Sequence, residues 1–85
     1  MTRGRDPKTS RLRVLLEVAL VRDRAAFASE IADHVEIGTQ RVRDICRELE
    51  ERGDLEIAEV SGRKIYRLTD QGLTRLAAET RARID

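Results

Sequence analysis

The chain has 85 residues, of which 40% are hydrophobic and 39% charged, and a formal net charge of +1. A chain of this length forms one small domain that buries roughly 60 to 65% of its unfolded surface, which excludes two domains. The single cysteine, Cys46, excludes an internal disulfide, and one Cys with one His is too few for a structural zinc site.

Periodic Leu, Ile and Val separate the sequence from a disordered chain, so a packed core is expected. No run approaches the roughly 18 apolar residues of a membrane span, and no apolar segment follows the basic N-terminus, so the expectation is a cytoplasmic protein with no membrane partner. Arginine outnumbers lysine fifteen to two. A guanidinium forks onto phosphate or guanine, although genomic base composition is an equal source of the excess. Location matters more than the sum. Arg3, Arg5, Lys8, Arg11 and Arg13 face only Asp6 at the start, Glu30, Asp33 and Glu36 form an acidic middle, and Arg63, Lys64 and Arg67 follow.

In chain order, residues 1–7 read as a flexible basic arm and 8–85 as the single domain. After Pro7, Thr9 or Ser10 caps a first helix running to about Arg22. Its Leu12, Leu15, Leu16 and Ala19 share one face, while Val14, Val18 and Val21 lie nearly opposite. Both sides call for burial, one in the domain core and the other, the valine stripe, against a second subunit; burial of both within one monomer is the alternative. A second helix is predicted over Ala25–Val35, with Phe27, Ile31 and Val35 at four-residue spacing, starting either at the alanines or at a Ser29 cap. Gly38 caps a third helix that stops at Gly53. The period then switches to alternation, Leu55 and Ile57 before a turn at Ser61 and Gly62 and Ile65 and Tyr66 after it, which predicts a hairpin. Thr69 caps a last helix with the stripe Leu73, Leu76, Ala77 and Thr80. The fold class is mostly α with a small antiparallel hairpin (α+β), in the order helix, helix, helix, strand, strand, helix.

That order, and the residues filling it, resemble a winged helix-turn-helix regulator of the small MarR or PadR type, or a phage-repressor-like DNA-binding domain. "SEIADHVEIGTQRVRDICREL" resembles the bihelical motif, with Ile31 and Ala32 between the helices, Val35 and Ile37 at the turn, and Val42 and Ile45 inward. "LEERGDLEI" resembles the join from recognition helix to wing, and "YRLTDQGLTRL" the lead into a closing helix; together the likeness covers about Leu12 to Ala82. Glu36 stands where many such motifs place glycine.

On the third helix Val42, Ile45, Cys46 and Leu49 share one face, and Gln40, Arg43, Asp44, Arg47 and Glu51 stand opposite. The exposed face is polar and basic first and acidic only toward Glu48, Glu50 and Glu51. A recognition helix puts its N-terminal residues into the major groove, so Thr39, Gln40 and Arg43 are candidates for base edges and Arg41 and Arg47 for flanking phosphates. Asp44 either accepts from a cytosine amino group or pairs with Arg41, Arg43 or Arg47. Arg63 and Lys64 form a candidate wing contact, along a backbone or in a minor groove, or else guard an exposed hairpin edge. Arg3, Arg5 and Lys8 are candidates for a third contact from the arm.

Cys46 reads as a core side chain and His34 as a helix-end or solvent residue. No nucleophile with a positioned base and no phosphate-cradling loop is visible, so neither an enzyme nor a cofactor is expected, and a small-molecule effector stays unassigned. The resemblance implies a double-stranded DNA-binding transcriptional regulator, a repressor in preference to an activator, forming a homodimer through Val14, Val18, Val21, Leu73 and Leu76. The alternative function is a winged-helix protein-interaction module that never reads DNA.

Overall fold

A computed structural model describes residues 7–84, with side chains described for 10–21 and 23–81. Arg3 and Arg5 therefore lie outside the described residues, as does the side chain of Lys8. The order is α1 (Pro7–Leu20), β1 (Ala25–Phe27), α2 (Ala28–Val35), α3 (Thr39–Arg52), β2 (Leu55–Val60), β3 (Arg63–Leu68) and α4 (Asp70–Ile84). Leu15, Val14 and Val18 of α1, Ile31 and Val35 of α2, and Val42, Ile45, Cys46 and Leu49 of α3 meet in one core, which Leu55, Tyr66 and Leu68 of the sheet close.

Helix α1 corrects the expected division of its faces. Val14 and Val18 are 0% exposed in the chain's own core, and Leu76 is buried with them, while Val21 and Leu73 are half-buried against it. At about 100° per residue, Val14, Val18 and Leu15 fall within one arc of about 100°, the width of an ordinary core-facing stripe. Val14, Val18 and Leu76 are thus core residues and not a dimer surface. The opposite side carries Leu16, 46% exposed, and Leu20, 71% exposed. The helix also stops two residues before the predicted Arg22, because Asp23 and Arg24 take left-handed backbone, φ 65° and 53°, in the short turn Arg22–Arg24.

A second correction falls on Ala25–Phe27, predicted as helix and found as a strand. It pairs antiparallel with β3, Ala25 with Arg67, Ala26 with Tyr66 and Phe27 with Ile65, which makes a three-stranded sheet in the order β1-β3-β2. Alanine's helix propensity is worth only tenths of a kcal/mol per residue, and backbone pairing with a strand about forty positions away overrides it. Ala26, the cross-strand partner of Tyr66, is 0% exposed. Helix α2 begins at Ala28, the last of the alanines, and not at a Ser29 cap. Instead the Glu30 carboxylate reaches back to accept from the Phe27 N–H at 2.8 Å.

The turn to α3 runs through Glu36 in the left-handed region, φ 59° and ψ 37°, its N–H donating to the Ala32 carbonyl at 3.1 Å. Gly38 caps α3 as expected, its carbonyl accepting from Val42 N–H at 3.0 Å, and Gly53 ends the helix. Strands β2 and β3 pair from Leu55–Leu68 to Val60–Arg63 around the two-residue turn Ser61–Gly62. Thr69 starts α4, accepting from the Gly72 N–H on its hydroxyl at 2.9 Å while that hydroxyl donates to the Gly53 carbonyl at 2.6 Å. Among the described residues no helix is long and apolar enough to cross a membrane.

Candidate nucleic-acid interface

Helix α3 is held by its inner face. Val42, Ile45, Cys46 and Leu49 are each at most 1% exposed, so the roll of the helix about its axis is set by packing, and Gln40, Arg41, Arg43 and Arg47 are turned outward. Burial pushes the Cys46 thiol up to about 12, as befits a small core side chain. Thr39, the first residue of α3, is half-buried. Gln40 donates from Nε2 to Asp44 Oδ1 at 3.1 Å, so Asp44 holds the glutamine amide and not one of the neighbouring arginines.

The hairpin packs beside that face. Between them lies a cleft of about 500 Å³, lined on the helix side by Gln40, Arg43 and Arg47 and on the hairpin side by Ile57, Gly62, Arg63, Lys64 and Tyr66; Phe27, Ala28 and Ser29 close one end. Five of the seven residues predicted on the recognition helix and wing are thus brought to one cleft. Thr39 and Arg41 are not among its lining residues. Tyr66 forms the floor: burial raises its phenol pKa and Cys46 adds to the rise, while the Arg43 and Arg47 guanidiniums act in the opposite sense.

Several arginines away from this surface are neutralised by acids. Arg11 pairs with Glu48 at 3.0 Å, Arg67 with Glu56 at 3.8 Å, and Arg75 with Asp54 at 2.8 Å. Among the described residues, Arg41, Arg43, Arg47, Arg63 and Lys64 have no such acidic partner. No acid lines the cleft. Four unneutralised cations around one concave surface raise the local concentration of an anionic ligand, and a net charge near zero hides this because the balancing acids lie elsewhere.

Sequence reasoning missed three contributors. Phe27 and Ser29 read as helix residues, and nothing local shows that the junction of β1 with α2 lies at the cleft. The third is Asp54, buried at 0% exposure where α3 passes into β2. Its Oδ1 accepts from Gln71 Nε2 at 3.0 Å, and its Oδ2 lies 2.8 Å from Arg75 Nε and 3.6 Å from Arg52 Nη2. The Arg75 contact lies off the hydrogen-bonding direction, so its attraction is coulombic. An acid opening an apolar strand run was the available signal. The cluster ties the end of α3 and the root of the hairpin to α4.

Neither a family model nor a curated protein matches the sequence. Solved structures do. A MarR family transcriptional regulator from Streptomyces coelicolor superposes with a TM-score of 0.80 at 19% identity, over 86% of this chain and 51% of that one. The antimony-specific transcriptional repressor AntR gives 0.71 at 25% identity, over 89% of this chain and 67% of the repressor. The fold is a winged helix-turn-helix. A MarR family regulator from Silicibacter pomeroyi adds a TM-score of 0.62 at 27% identity, over 85% of this chain and 53% of that one. The chain therefore spans about half to two thirds of the length of these proteins. Within the winged helix, α2 and α3 are the bihelical unit and β2 and β3 the wing, with β1 adding a third strand to the sheet.

Proposed function

We propose that this winged helix is a sequence-specific, double-stranded DNA-binding transcriptional regulator, non-catalytic and cytoplasmic, acting as a homodimer and by repression. The observation that carries the reading is the set of unpaired cations, Arg41, Arg43, Arg47, Arg63 and Lys64, on α3 and the wing, in a molecule whose other surface arginines include several neutralised by acids. Helix α3 enters the major groove with Thr39, Gln40 and Arg43 toward base edges, and Arg41 and Arg47 lie on flanking phosphates. Asp44 keeps the Gln40 amide oriented until an adenine edge replaces it. Arg3, Arg5 and Lys8 add a third contact.

The dimer surface in this reading is the outer side of α1, Leu16 and Leu20, together with the exposed face of α4, in place of the valine stripe. Two-fold symmetry then places half-sites about 34 Å apart, one helical turn. Bound protein blocks polymerase by occupancy. One structural neighbour, AntR, is a repressor by its name, which favours that direction.

Selection of duplexes from a random pool, followed by band-shift of the recovered sequence, tests the reading. Gln40→Ala combined with Arg43→Ala is expected to abolish preference for the selected sequence while the domain stays folded. Removing a cation from one phosphate lowers the slope of log affinity against log salt by about 0.9. Unchanged preference in the double variant rules out α3 as the reading helix. No binding to any duplex at low salt favours the protein-interaction module instead.

A further inference from the structure

The wing's first cation has a contact of its own within the domain. Residues 63 and 65 share one face of β3, and β1 places Phe27 opposite Ile65, so Arg63 lies one diagonal step from Phe27 across the strands. There the Arg63 guanidinium carbon stands 4.0 Å from the centre of the Phe27 ring. A guanidinium lying flat on a ring uses its face for that contact and keeps its in-plane N–H groups for an acceptor. Phe27 belongs to the body of the domain, as the last residue of β1 and the N-cap of α2, and both residues line the cleft whose far wall carries Arg43 and Arg47. The ring therefore draws Arg63 back into the cleft, with its donor edge beside three other cations and no acid.

Reading base edges in a minor groove requires an arginine projecting past the hairpin tip. Gripping a backbone phosphate needs a guanidinium edge presented among other cations, and Arg43, Arg47 and Lys64 line the same cleft as Arg63. Resting on the DNA-binding reading above, we propose that Phe27 is a positioning residue for Arg63, holding it so that the wing grips the phosphodiester backbone and does not read the minor groove. The wing then contributes affinity and register without sequence preference, and all selectivity comes from α3.

The test measures affinity for mixed-sequence duplexes, one with A·T-rich and one with G·C-rich flanks, over a range of salt concentrations. Arg63→Ala should weaken binding to both duplexes alike and lower the salt slope by about 0.9, the value for a single neutralised phosphate. Phe27→Leu keeps apolar bulk but removes the π face, and should weaken binding by about two- to fivefold, the equivalent of an exposed cation–π contact. Phe27→Trp should restore wild-type affinity. Because Arg63 is then already absent from the site, Phe27→Leu should cost nothing further in the Arg63→Ala background. Arg63→Lys, on an exposed wing where folding is not at risk, should also weaken binding, since an ammonium cannot stack flat and fork at once.

Three results overturn the proposal while leaving DNA binding intact. They are wild-type affinity in Phe27→Leu or Arg63→Lys, additive effects in the double variant, and an A·T-flank preference that Arg63→Ala removes, as a minor-groove arginine would show. Failure of the wild-type protein to bind either duplex at low salt overturns the DNA-binding reading itself, and this proposal with it.

Discussion

Gly72 enters α4 with its α-carbon pressed against the backbone of Asp54, and a β-carbon built there overlaps the Asp54 carbonyl oxygen. That oxygen is fixed by the Thr69 N–H at 3.1 Å, and the Asp54 carboxylate by Gln71 and Arg75, so the neighbour cannot retreat. Gly72→Ala is expected to destabilise the fold by about 1 to 3 kcal/mol, the usual cost of overpacking, although alanine is the better helix former. Chemical denaturation with the slope unchanged is the check. Cys46 gives a second expectation at this scale. Its thiol is raised from 9.0 to about 12 by burial in the fold. Below pH 9 both folded and unfolded chains keep the proton and stability does not depend on it; as pH rises from 9 toward 12 the unfolded chain ionises first, so stability falls by about 1.4 kcal/mol per pH unit. Cys46→Ala should flatten that alkaline limb in a series of melts, and alkylation of the native thiol near neutral pH should proceed only at the rate of unfolding.

Among the elements, the hairpin was the most legible and β1 the least. A two-residue turn needs positive φ at both central positions to match the twist of its strands, and Ser61 and Gly62 adopt 52° and 78°. Gly62 announces that geometry in the sequence, whereas Ser61 tolerates it at a cost. Asparagine is at home in the left-handed region, so Ser61→Asn is expected to raise the melting temperature by a few degrees, about 0.5 kcal/mol, with no change in DNA affinity. A fall in melting temperature would mean that the turn has another shape. Strand β1, by contrast, has three residues and no turn signal of its own. Its existence depends on β3, and with it the placement of Phe27 against Arg63.

For the whole molecule, the proposed homodimer turns on the outer side of α1. Leu16 and Leu20 sit four residues apart on one face, exposed, over a core already filled by Val14, Leu15 and Val18. In the proposed homodimer they are covered by the partner. Leu16→Glu with Leu20→Glu should yield a folded monomer by light scattering, with affinity for a palindromic duplex reduced at least tenfold because the second half-site is no longer engaged. A double variant that remains dimeric places the interface elsewhere. A wild-type monomer at all concentrations removes the two-fold operator from the proposal.

What the amino-acid sequence determined by itself was local: four helices in order, the Gly38 start and Gly53 end of α3, the Ser61–Gly62 turn, the Thr69 start of α4, and the drift of α3 from basic to acidic along its exposed face. Each depends on neighbours within a few residues, through helical period, capping or turn torsion, and such signals are written contiguously. The tertiary structure decided which face of α1 is core, that Ala25–Phe27 is a strand, that Asp54 joins α3 to α4, and which cations keep no acidic partner. These depend on residues tens of positions apart, and their energies come from burial and pairing that exist only once the chain has closed on itself.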